Sequence, residues 1–210
     1  MSRRFVLFVE GHTETAGLAG FLKRWLDARL DEPVGIESVR FEGWSDLVRR
    51  AKRRTETYLT SPRESEIIAV IGLIDLYGVT LYPEDVSSVK ERHAWLTKHL
   101  EEKVDSPRYR QFFAVHETEA WFLAEPDKFP TEVSKALVRK AARPERVNFD
   151  TPPAKLLQET FSKQLKRDYS KVREARNRFP TLDPVKVAEK CPYFQKMLDE
   201  MLRLAEEARR

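Results

Sequence analysis

The chain has 210 residues, 41% of them hydrophobic and 34% charged, with a net charge of +4. That length suits one domain, or one domain with an appendage, burying roughly 70% of its unfolded surface. No apolar run approaches the ~20 residues of a membrane span, and the lone cysteine, Cys191, excludes an internal disulfide and a thiol-based zinc site. The five apolar residues after Met-Ser-Arg-Arg are too few for a secretory leader, so a cytoplasmic protein without membrane attachment is expected.

Phe5-Val6-Leu7-Phe8-Val9 predicts a short buried strand over 4–9. Leu18, Phe21, Leu22, Trp25, Leu26 and Leu30 recur at three-to-four spacing and predict a helix over 13–30. A weaker strand follows over 36–41, then a helix carrying Trp44, Leu47, Val48, Ala51 and Tyr58 on one face. Ile67 to Asp75 is apolar until its final acid, the pattern of a strand covered on both faces. Val86, Val89, His93, Leu96 and Leu100 mark a third helix, and 112–115 a fourth strand. Strands alternating with helices predict an α/β fold with a mostly parallel four-stranded sheet flanked by helices.

Beyond residue 117 the pattern is helical only, with segments at 117–123, 132–141, 155–164 and 193–208 and a start signal at Asp183-Pro184. The stretch 142–153, rich in Pro and Asn, is expected to be a loop. An α/β domain is expected over 1–125 and a helical extension over 126–210, either packed on it or part of the same domain.

Three strands end in acids. Glu10 follows the first, Asp75 ends the third, and His116 and Glu117 follow the fourth. In a parallel sheet these positions share the carboxyl edge, where open α/β folds bind ligands. Carboxylates that close repel one another unless a cation neutralises them, and their oxygens suit Mg²⁺ or Mn²⁺. Thr13 has a simpler role as a helix cap with Glu14 in the first turn, and Asp75 could open a turn ending at Gly78. Glu10 precedes Gly11 outside any helix, so capping does not account for it. Glu117 and Glu119 are two apart, so one of them at most is expected to face the site, unless the strand continues through them. Two basic clusters stand out, Arg49, Arg50, Lys52, Arg53 and Arg54, then Lys163, Lys166, Arg167, Lys171, Arg173, Arg176 and Arg178. Each alone reads as a solvated helix face; two beside an acidic site favour a polyanionic partner.

The blocks VEGHTE, LIDLYG and VHETEAWFLAEP, followed by PPAKLL, DYSK and VAEKCPYFQKML, resemble the prokaryotic domain-of-unknown-function 4276 family. That family is regarded as Toprim-like (Rossmann-like), akin to domains of topoisomerases, primases and nucleases of the overcoming-lysogenization-defect type. Such domains place a glutamate after the first strand and an Asp-x-Asp after a later one, around Mg²⁺. Glu10 matches the glutamate and Asp75 the first aspartate; Tyr77 stands where the second would be, so one metal ligand is missing unless Glu117 or Glu119 substitutes. The resemblance implies metal-dependent cleavage of DNA or RNA in phage defence, alongside an AAA or ABC-type ATPase partner. Glu10, Asp75 and Lys155 would be catalytic, with Glu10, Asp75, Glu117 and Glu119 on the metal. Gly11, Glu14, Tyr77 and His116 are further site candidates. A non-catalytic module that binds metal and nucleic acid, or an interaction subunit, is the alternative.

Overall fold

The nine residues Ile67–Asp75 hold one charged side chain, the last, and form the longest strand. So apolar a strand requires cover on both faces, and the rest of the fold supplies it. The computed structural model describes residues 3–139, 141–146 and 151–209. Within them β1 (Arg4–Val9), β2 (Gly35–Arg40), β3 (Ile67–Asp75) and β4 (Tyr109–Ala114) form one sheet in the order β2-β1-β3-β4. Every pairing is parallel; Val9 lies beside Arg40 and Leu73, and Asp75 beside Ala114. The parallel four-stranded sheet expected from the sequence is therefore present, and its carboxyl ends share one edge.

The helices cover both faces. α1 (His12–Thr15) and α2 (Leu18–Asp27) follow β1, α3 (Trp44–Leu59) follows β2, and α4 (Val89–Val104) follows β3. After β4 come α5 (Glu119–Ala124), α6 (Thr131–Leu137), α7 (Pro153–Leu165), α8 (Lys171–Arg178), α9 (Pro184–Lys190) and α10 (Pro192–Glu207). Alternation along β1 divides the core in two. Phe5, Leu7 and Val9 pack with α2 and the helices after β4. Val6 and Phe8 pack with α3 and α4. No helix among the described residues is long and apolar enough to cross a membrane.

Several elements differ from expectation for local reasons. The helix predicted over 13–30 breaks into α1 and α2 at Gly17, whose φ of +141° is not helical and disfavours a side chain. A Cβ there would also lie 3.0 Å from the Cβ of Phe179. The third helix starts at Val89, because Ser88 accepts from the Glu91 N–H while the Glu91 carboxylate accepts from the Ser88 N–H, a capping box. α8 forms where the sequence offered mainly basic residues. In the expected loop, residues 144–146 make a 3-10 turn and residues 147–150 lie outside the described residues.

β4 begins three residues early, since the polar Gln111 is buried rather than exposed. The Tyr109 hydroxyl donates to its Oε1 at 2.5 Å, and its amide nitrogen donates to the Phe112 carbonyl at 2.8 Å. Gly72 of β3 lies opposite Gln111, and a Cβ on it would overlap the Tyr109 hydroxyl and the Gln111 side-chain oxygen. Gly72→Ala should therefore destabilise the protein by about 1–3 kcal/mol through overpacking, measured as a lower urea midpoint at unchanged slope. An unshifted midpoint would show that the pair has room to move.

Candidate metal centre

The site is assembled at the carboxyl edge from segments far apart in the chain. The Leu76 N–H donates to the Ala114 carbonyl at 2.9 Å, and the Tyr77 N–H to the His116 carbonyl at 2.8 Å. The chains leaving β3 and β4 thus stay side by side past the strand ends, which keeps Asp75 next to the segment Glu117–Glu119. The Val115–His116 peptide bond is cis. One oxygen each from Asp75, Glu117 and Glu119 lie within 4.8 Å of one another.

Backbone and hydroxyl donors fix these carboxyls. The Thr118 N–H donates to Asp75 Oδ1 at 2.9 Å, and its hydroxyl to Glu14 Oε1 at 3.3 Å. The Asp75 N–H donates to Glu10 Oε1 at 3.3 Å. Glu117 accepts from the Ala154 N–H, in the first turn of α7, at 2.8 Å. Its other oxygen accepts from Lys171 Nζ, at the start of α8, at 2.9 Å. Lys171 Nζ also lies 3.7 Å from Glu119 Oε1. Neither oxygen of the fully buried Glu119 has a hydrogen-bond partner among the described residues.

Burial and mutual repulsion dominate the electrostatics. Burial, then the charge of Glu14, pushes the Glu10 carboxyl up to about 7. Burial, with Glu117 and Glu14 adding to it against Lys171, does the same for Glu119. Asp75 is raised well above its usual range by burial and by Glu10, Glu14 and Glu119, and Glu14 is raised by burial. Burial opposes the charge of Lys171, but Glu119, Asp75 and Glu117 outweigh it and hold the ammonium above its ordinary value. The donor set is all oxygen, hard and oversupplied with negative charge, and two of its oxygens lack donors. It fits a divalent cation of the Mg²⁺ or Mn²⁺ type.

Each predicted residue can now be placed. Glu10, Asp75, Glu117 and Glu119 converge, and Glu117 and Glu119 both face the site rather than one alone. Their two-residue spacing misleads because Glu117 precedes the helix and Glu119 begins it. Glu14 is buried in the same group, and Gly11 caps α1, where a Cβ would come 3.2 Å from Glu14 Oε2. Thr13 lies within α1 and is not its cap. His116 is buried beside Glu117, its imidazole lowered by burial, against the charge of Glu117. Tyr77 is 41% exposed. Lys155 is exposed, one residue beyond Ala154. Lys171 and Thr118 were not singled out for this site; the block DYSK is the sequence signal for the lysine. The other basic residues are largely occupied elsewhere. Arg49 and Arg50 pair with Asp46, and Arg167, Arg173 and Arg178 converge on the buried Glu174.

A parallel α/β sheet with a buried acidic group at its carboxyl edge defines the class. A family model, Domain of unknown function (DUF4276), matches residues 9–202, and the chain belongs to that family. The structure resembles the C-terminal region of the Burkholderia pseudomallei OLD protein with a TM-score of 0.53 and 18% identity, over 99% of this chain and 100% of that one. The C-terminal region of the Xanthomonas campestris pv. campestris OLD protein, phased with mercury, gives 19% identity over 95% of this chain and 98% of that one, with a TM-score of 0.41. The first likeness concerns the fold alone. No curated protein matches the chain.

The raised carboxyls give a signed prediction. An acid whose folded pKa exceeds its unfolded value holds a proton only the folded state keeps, so stability is lost as pH rises through that window. For Glu10 and Glu119 the window runs from 4.5 to about 7, and the distant Glu145, raised by burial, shares it. His93 and His116, lowered by burial, act oppositely below 6.5, but the raised acids, which include Asp75 and Glu14, outnumber them. In EDTA the melting temperature should fall from about pH 5 to about pH 8, each proton held contributing about 1.4 kcal/mol per pH unit. Glu119→Gln should flatten the profile and raise stability above pH 7. Mn²⁺ should restore wild-type stability at high pH. A wild-type melting temperature rising through this range, or an unchanged Glu119→Gln profile, would contradict the description.

Proposed function

We propose that the protein is a Toprim-like nuclease that hydrolyses phosphodiester bonds of DNA or RNA with Mg²⁺ or Mn²⁺. The observation that carries this reading is the convergence of Asp75, Glu117 and Glu119 within 4.8 Å, with both oxygens of Glu119 lacking hydrogen bonds. These three would hold the ion, with Glu10 alongside. A bound divalent ion supplies positive charge to the phosphoryl oxygens and lowers the pKa of an attacking water.

The remaining roles belong to this chain's own groups. Glu10, whose Oε1 accepts from the Asp75 N–H beside the three ligands, is the proposed proton acceptor. Lys171 orients Glu117 and offsets part of the acids' charge. Lys155, itself exposed in the first turn of α7, is the proposed phosphate contact. Burial of Glu14, Glu117 and Glu119 excludes water from their side of the centre. The fold shared with the OLD region and the family membership support the class; phage defence and an ATPase partner are what the family resemblance implies, and a cytoplasmic setting is proposed with them. The exposure of Tyr77, where Toprim domains carry a second aspartate, favours the second reading, a module that binds metal and nucleic acid without cutting.

Cleavage of plasmid and of single-stranded DNA and RNA, with Mg²⁺, Mn²⁺ or EDTA, separates the two. Cleavage should require the metal and fall at least about 10²-fold in Asp75→Ala and Glu119→Ala, the scale of losing a group that stabilises transition-state charge. Mn²⁺ binding by calorimetry should weaken in the same variants. Metal-dependent binding without cleavage would select the module, and cleavage that persists in EDTA would reject the centre.

A further inference from the structure

A cleft of about 810 Å³ opens beside the acidic centre, with His116 in its wall. The same residue feels the charge of the neighbouring Glu117. The cleft and the centre therefore share the segment that leaves β4. The start of α4, the 3-10 turn at Pro144–Arg146, the end of α9 and the start of α10 complete the lining.

Its basic residues line the cleft itself, whereas none of those in the two basic clusters seen in the sequence does. Lys90, Arg143 and Arg146 line the cleft, are exposed, and make no side-chain hydrogen bond or ion pair with the described residues. Lys190 adds a fourth cation, its Nζ held 2.5 Å from the Ala124 carbonyl. Two acids also line it. Glu145 is committed, accepting from the N–H groups of Tyr193 and Phe194 at the start of α10, at 3.0 and 3.2 Å. Glu189 is exposed at the rim. The excess is positive, and it sits on side chains that can reach an incoming anion without breaking an internal pair. Tyr193 gives the wall an amphipathic aromatic side chain.

On the nuclease reading, a polymer with one phosphate in the acidic centre must carry its neighbouring phosphates away along the surface. We infer that this cleft is that path, and that Lys90, Arg143 and Arg146 bind the backbone of a single nucleic-acid strand flanking the scissile phosphate. The volume falls in the range of ligand-binding clefts, about 300–1,000 Å³, which suits a few nucleotides of one strand rather than a duplex. This rests on the nuclease reading for its direction, but binding tests it without cleavage.

The probe is a fluorescently labelled single-stranded oligonucleotide, as DNA and as RNA, titrated by anisotropy in EDTA. For whichever polymer the wild type prefers, the triple variant K90A/R143A/R146A should bind at least about tenfold more weakly. It should also reduce the slope of log affinity against log salt by about 2, near 0.7 per lost contact on a single strand. The control K98A/K103A/R203A removes equal charge from the far ends of α4 and α10 and should bind like wild type. Thermal melting checks that both variants fold. Unchanged binding in the cleft variant, equal loss in the control, a duplex competing as well as the strand, or no binding by wild type would overturn the inference. The two readings fail separately. Strand binding through the cleft with no cleavage under any metal sinks the nuclease and leaves the path standing. Metal-dependent cleavage with an inert cleft variant does the reverse.

Discussion

Five carboxyl groups, those of Glu10, Glu14, Asp75, Glu117 and Glu119, are gathered around one ammonium, that of Lys171. Such a group is unfavourable in a folded protein unless its charge is neutralised, because burial penalises each anion and every neighbour adds repulsion. The raised carboxyls express that tension in the ion-free protein. The surrounding structure must therefore be stable enough to hold the group together. The sheet meets this need, with β1 and β3 at its centre and packed on both faces. Strain concentrated at a functional edge and offset by an apolar interior is the arrangement expected of a binding site.

The two halves of the chain contribute unlike parts. The strand ends, with α1 and the start of α5, supply the acids. The helices after α5 supply what holds them, namely Lys171 from α8 and the Ala154 N–H from α7, both on Glu117. Glu117 is thus pinned by helices outside the sheet, Asp75 by the Thr118 N–H just beyond β4, and Glu10 by the N–H of Asp75 in β3. Gly17 and Phe179 touch where α2 meets the segment after α8, and Arg24 donates to the carbonyls of Phe179 and Leu182 at 2.7 and 2.9 Å. The position of α8, and with it of Lys171, is therefore coupled to the helix that follows the first acidic loop.

Much of this was legible in the sequence. Uninterrupted apolar runs identify strands buried on two faces, and a parallel sheet brings their ends together, so Glu10, Asp75 and Glu117 follow from pattern and topology alone. What was not legible depends on tertiary contact. Glu14 looks like an ordinary first-turn acid until its helix is seen to be a single turn, ended before Gly17, that leaves the carboxylate buried. Lys171 sits in a run of basic residues of which Arg167, Arg173 and Arg178 pair with Glu174, and nothing in their spacing marks the one that meets Glu117. Gln111 hides a strand because its partner, Tyr109, makes a buried amide acceptable.

The departure at Tyr77 has a geometric reading. An Asp-x-Asp places two acids on one strand, two residues apart and on the same face. Neighbouring strands lie about 4.8 Å apart, closer than the roughly 6.6 Å between residues two apart on one strand, so an acid leaving the adjacent strand can stand in for one further along. β4 is the neighbour of β3 here, and Glu119, two residues beyond Glu117, brings an oxygen within 4.8 Å of both Asp75 and Glu117. Tyr77 meanwhile turns into the exposed turn at Gly78, where φ is +90°. On the proposed reading the missing aspartate is thus replaced across the sheet rather than along it. The centre then depends on the pairing of the chains beyond the strands, where Tyr77 gives its N–H to the His116 carbonyl and keeps Glu117 and Glu119 level with Asp75.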